Sequence, residues 1–126
     1  MPTESPADRR TRFIAKLLTT GLLVWEETAD SDTFQVTLDS FVVQIGRKWN
    51  DDVGENRYQV SLFNKSGKLL EEIYPRNVDT MALHQLTGHG ADSAFQSLFE
   101  SARRQALNVD ESLDAAMKEI EKQAPF

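Results

Sequence analysis

The chain has 126 residues, 40% of them hydrophobic and 27% charged, no cysteine, and a formal net charge of −6. That size gives one domain whose core needs no staples, and the missing cysteines exclude disulfides, thiol catalysis and zinc–thiolate centres. Acidity sets the chain against nucleic-acid phosphates and suits a basic protein partner or plain solubility, and no apolar run nears the ~20 residues of a membrane span.

The first stretch, MPTESPADRRTRF, is polar and has no apolar leader region, so a cytoplasmic protein is expected. Ser5 can cap a helix, Pro6 is preset for its first position, and Asp8 suits its positive end. Phe13, Ile14, Leu17 and Leu18 then recur at helical spacing, and Gly21 can stop the helix. LLVWEET reads as a first strand. In TFQVTLDSFVVQIG, a two-residue turn at Asp39-Ser40 pairs Leu38 with Phe41. Phe34, Val36, Leu38, Phe41, Val43 and Ile45 then share one sheet face. GRKWNDDVGEN reads as a polar loop. RYQVSLF is a fourth strand, NKSG a turn in which Gly67 takes positive φ, and KLLEEIY a fifth strand ended by Pro75.

PRNVDTMALHQL predicts a short helix, and TGHG punctuates the chain. Asp92 or Ser93 is expected to cap the next helix, whose stripe is Phe95, Leu98, Phe99, Ala102 and Ala106. Asn108 is its stop, and Asp110 caps a last helix carrying Leu113, Met117 and Ile120. The expected fold is a single α+β domain over residues 1–126, with flexible ends at about 1–4 and 123–126. It has an N-terminal helix, an antiparallel meander of about five strands, and two or three C-terminal helices packed on one sheet face. Phe34, Val36, Phe41, Val43, Tyr58, Val60, Phe95 and Phe99 should form the core.

Candidate binding residues are Arg47, Lys48, Trp49 and Arg57, which bracket the long loop, and Arg103 on the best helix. Bases round an exposed aromatic can hold a nucleic-acid strand or form a protein hot spot. The plainer reading, in which Trp49 caps the sheet edge and the bases are solvated, is preferred. Arg104 lies opposite the apolar stripe and pairs with Glu100. Arg103 lies at the stripe's border, where its stem can cover Phe99 and Leu107 while its fork clamps a neighbouring element. Basic Arg9, Arg10, Arg12 and Lys16 on the first helix complement the acidic last helix, within one chain or between two copies.

His84 and His89, with Asp79 and Asp92, lack a recognised metal-ligand spacing and read as ordinary helix and loop residues, so no metal or cofactor is expected. ADSD and DDVGE lack the calcium-loop register, and no nucleophile elbow is present.

With GLLVWEE and YQVSLFNKSGKLLEEI upstream, the tail LFESARRQALNVDESLD resembles small bacterial α+β domains of uncharacterised function. These share a G-x-x-x-W start, a strand ending in N-x-x-G and an L-[FY]-x-x-A-R-R-x-A-L helix. The resemblance spans residues 11–121 and has no counterpart for the 46–57 loop; it implies an α+β accessory domain and supplies no activity or catalytic residues.

The expected function is therefore a non-catalytic protein-interaction domain, an accessory, adaptor or immunity-like protein of the bacterial cytoplasm, whose partner is another protein or a second copy. One alternative is a secretion-chaperone-like dimer. Another is a small hydrolase or metal-dependent enzyme using His84 or His89.

Overall fold

A computed structural model describes residues 4–123. Of the ends expected to be flexible, all but Glu4 and Gln123 lie outside the described residues. Helix α1 spans Pro6–Thr19, and Ser5 caps it by accepting the Asp8 amide at 3.1 Å. Five strands follow: β1 Glu26–Glu27, β2 Thr33–Thr37, β3 Phe41–Asn50, β4 Glu55–Asn64 and β5 Leu69–Ile73. A 3-10 turn at Pro75–Asn77 leads to α2 Thr80–Thr87, α3 Ala91–Ala106 and α4 Val109–Gln123.

All five strands form one antiparallel sheet in chain order, so the expected meander is present. Register at the first hairpin follows the Asp39-Ser40 turn: the Leu38 amide donates to the Phe41 carbonyl, and Val36 pairs with Val43. Phe34, Val36, Val43, Ile45, Val60 and Ile73 are buried on one sheet face. α3 lies across that face, touching β1 to β4. Its buried residues, Ala91, Ala94, Phe95, Leu98, Phe99 and Ala102, are spaced three and one apart, as a single helical stripe requires. α1 packs against α2 and α3 and adds Ile14, Ala15 and Leu17 to the same core.

Thr11 joins α1 to the segment before α2. It is 2% exposed, donates to the Ala7 carbonyl at 2.7 Å and accepts the Asp79 amide at 2.8 Å, so neither backbone group is orphaned. Arg10 reinforces the junction by donating to the Asn77 carbonyl at 2.9 Å. Gly67 has φ +88° in the β4–β5 turn, and Gly88 has φ +83° at the end of α2, where an L side chain would be strained.

Several expectations need correction. The first strand is not LLVWEET but only Glu26–Glu27, because Trp25 turns into the core and its amide bonds the Gln105 side chain at 2.8 Å. Phe41 is 41% exposed, at the first position of β3 beside the Asp39-Ser40 turn. Residues 46–56 are not a loop. β3 and β4 stay paired without a break from Phe41↔Asn64 to Asn50↔Glu55, around a four-residue turn at Asp51–Gly54. Gly90, not Asp92 or Ser93, is the N-cap of α3. The Ala91 amide there bonds Thr80 Oγ1 at 2.7 Å, and a Cβ on Gly90 would crowd that oxygen at 3.0 Å. Asn108 does break the helix, with φ +50°, but Asp110 lies inside the first turn of α4 rather than capping it.

Candidate functional site

Pairing between β2 and β3 stops at Thr33↔Gly46, and pairing between β4 and β5 begins at Val60↔Ile73. The β3–β4 hairpin therefore projects beyond the sheet as a two-stranded arm. Alternation puts Lys48 on the arm's face away from the helices, and Arg57 is its direct cross-strand partner. The chain leaving β5 brings Tyr74 and Arg76 beside them, with the Arg76 guanidinium 4.7 Å above the Tyr74 ring. The Tyr74 hydroxyl donates to Glu72 at 3.4 Å, which fixes the ring's edge.

These side chains line a groove of three adjoining depressions, about 570, 390 and 230 Å³, all of which include Arg57. Trp49 borders two of them and is 57% exposed, so it does not cap the sheet edge as expected. The reason is position: Trp49 follows Ile45 and Arg47 on the covered face, but lies on the part of the arm that extends past the sheet. Asp30, Asp32, Asp51, Asp52, Glu55 and Asp92 line the same depressions. Among the described residues none of these reaches Lys48, Arg57 or Arg76 within 4.0 Å, and those three cations have no ion-pair partner.

Arg47 also lines the groove, yet it is held by the fold. Its guanidinium sits 4.5 Å over the Phe99 ring, 2.9 Å from Asp32 Oδ1 and 3.9 Å from Glu100 Oε1. It is the clamp that sequence reasoning assigned to Arg103. Arg103 is half-buried, stands apart from the groove, and among the described residues makes no ion pair or side-chain hydrogen bond. Arg104 pairs with Asp110 rather than Glu100, tying α3 to α4. Of the expected binding residues, then, Arg47, Lys48, Trp49 and Arg57 come together and Arg103 does not.

Tyr74 and Arg76 were missed. The signal available was mirror symmetry: R-K-W-N and E-N-R-Y run outward from the Asp51–Gly54 turn as two strand ends, which sets Lys48 opposite Arg57. Nothing local placed Tyr74 and Arg76 beside them.

His84 is exposed on α2, and His89 Nδ1 lies 2.9 Å from Ser93 Oγ at the start of α3. Among the described residues, no group of three histidine, aspartate or glutamate side chains could hold a metal ion. Among the described residues, no helix is long and apolar enough to cross a membrane.

α4 is the other unusual surface. It has no buried residue, and Leu113, Met117 and Ile120 are 51%, 52% and 65% exposed. It packs against α3 and lines none of the three depressions. Comparison of the chain with protein-family models, curated proteins and solved structures gave no match.

Proposed function

We propose that this chain is a non-catalytic protein-interaction domain, an accessory, adaptor or immunity-like protein of the bacterial cytoplasm, and that its groove takes an acidic segment of a protein partner. One observation carries the reading. Lys48 and Arg57 are direct cross-strand neighbours, and Arg76 adds a third cation to the same groove, in a chain of net charge −6. Like charges directly opposite each other destabilise a sheet. An arrangement that opposes folding is accounted for by an anionic ligand that relieves it. Trp49 and Tyr74 give the groove apolar area as well, which suits a segment mixing carboxylates with large apolar residues better than a bare anion. The acidity of the rest of the chain disfavours a polynucleotide, whose charge extends past any groove of this size.

Trp49 supplies the readout, because Trp25 is only 6% exposed. A synthetic peptide alternating Asp or Glu with Leu should shift the Trp49 fluorescence of the full chain, and its Lys counterpart should not. Arg57→Glu should weaken the peptide about tenfold or more. Binding of a single-stranded oligothymidylate in preference to the peptide would replace this reading with a nucleic-acid one. No response to either would remove the groove as a binding site.

A further inference from the structure

We infer that the joint between α3 and α4 is a two-state hinge at Asn108, and that the chain also populates a form in which residues 91–123 make one straight helix. No residue of α4 or of the joint lines the groove. Phe95, Phe99, Ala102, Ala106, Val109, Leu113, Ala116 and Ile120 stand alternately four and three residues apart, and all eight are apolar. At about 100° per residue they fall in one stripe roughly 100° wide along a continuous helix. The stripe that α3 buries therefore runs through Asn108 into α4 without a change of phase. Two helices that met only at a turn would have no cause to share a phase. Nor does the sequence call for a stop, since no glycine or proline lies between Ala91 and Gln123.

The break rests on one residue. Among the described residues, Asn108 is the one non-glycine residue with positive φ, +50°. That left-handed conformation is costly for an L residue, though asparagine adopts it more readily than most. The bend also denies the amides of Val109, Asp110 and Glu111 the bonds to Gln105, Ala106 and Leu107 that a continuous helix supplies. Little offsets this. α4 has no buried residue, and the ion pair across the joint, Arg104 with Asp110, is exposed.

Straightening reverses each of these effects. Asn108 returns to the right-handed region, three backbone bonds form, and one exposed ion pair breaks. Neither form holds a decisive advantage, so both are populated. Ionic strength, which screens the exposed pair, biases the balance. The two forms also present different surfaces. Gln105, one turn before the joint, bonds the Trp25 amide beside β1, the edge strand of the sheet. A straight α4 therefore projects off that edge by about 22 Å and carries Leu113, Met117 and Ile120 clear of the domain.

The test uses the full chain, which has no cysteine of its own, so that Ser101→Cys with Glu119→Cys takes two spin labels at chosen points. Both sites are exposed and off the stripe. Eighteen residues of straight helix set their backbones about 27 Å apart. Double electron–electron resonance should resolve two distances, the longer one matching a continuous helix, with circular dichroism verifying the fold. Adding Asn108→Ala, which disfavours the left-handed conformation, should raise the ratio of long to short at least about fivefold. Asn108→Gly, which favours it, should lower the ratio by a similar factor. Arg104→Gln should raise the ratio about twofold, and so should about 1 M salt; a fall in either contradicts the hinge. A single distance in the labelled chain with Asn108 in place, short or long, overturns the inference. So does a ratio that fails to move in opposite directions in the two Asn108 variants, or a broad distribution showing that α4 is helical in neither form.

Discussion

The ring of Phe99 is touched on three sides by groups whose order depends on it. Phe34 and Tyr58 each lie 5.6 Å away, tilted by about 60°, and the Arg47 guanidinium lies 4.5 Å over its face. Tilted aromatic contacts add to the area Phe99 buries, and a cation over the face adds more because it is partly desolvated. Phe99→Ala should cost about 3–5 kcal/mol, from lost contacts and the cavity left behind. Arg47→Ala should cost on the order of 1–3 kcal/mol, since Asp32 and Glu100 lose their partner and the ring loses its cover. Arg103→Ala should cost under about 1 kcal/mol, the worth of stem packing alone, and Arg104→Ala about 0.5 kcal/mol or less because its pair with Asp110 is exposed. Denaturant titration ranks the four. An Arg103→Ala loss as large as that of Arg47→Ala would overturn this division of roles. Thr11→Val tests the buried hydroxyl the same way. It keeps the volume but leaves the Asp79 amide unpaired, so a loss of about 1–2 kcal/mol is expected.

The projecting arm is an element with opposed demands. Its unbroken register holds the turn in place, with Asn50 Oδ1 accepting the Asp52 amide at 3.0 Å. That same register forces Lys48 and Arg57 together. Replacing Arg57 with Thr should raise stability by a few tenths to about 1 kcal/mol by removing the like-charge pair, while it lowers affinity for an acidic peptide. Thermal melting and peptide titration of one variant give both numbers, and a destabilised Arg57→Thr chain would contradict the account. The sheet was legible in the sequence where apolar residues alternate, as in Phe34–Val36 and Val43–Ile45. It was illegible over residues 46–56, because the side chain that packs on the core there is an arginine, Arg47 over Phe99, and no run of apolar residues marks the alternation. The α3 stripe was legible for the same reason as the sheet. The partners of Arg47 were not, since Asp32 and Glu100 are 15 residues before it and 53 after it, and only the folded chain brings them together.

At the scale of the molecule, stability should be unevenly spread. α3 joins α1, α2 and the strands into one core, whereas α4 touches that body through α3 alone among its principal contacts and buries nothing. Amide hydrogen exchange on dilute protein should therefore show α4 opening at far lower free energy than α3, β3 or β4. Protection of α4 equal to that of α3 in dilute protein would mean that the helix is anchored in some other way. Net charge and the absence of cysteine were informative about chemistries to exclude, but charge totals do not show that three unpaired cations gather among the groove's carboxylates. The three cations there come from β3, β4 and the segment after β5.

The dependence of α1 on α3 has a consequence for the order in which the chain emerges during synthesis. Ile14, Ala15 and Leu17 are made early, while the stripe that completes their core begins at Ala91. At roughly 5–20 residues per second, about 4 to 15 s separate the appearance of the two. The strands meet only chain neighbours, so the meander can assemble during that interval. The apolar side of the first helix cannot, and until the third helix arrives it is a natural target for chaperones that hold nascent chains.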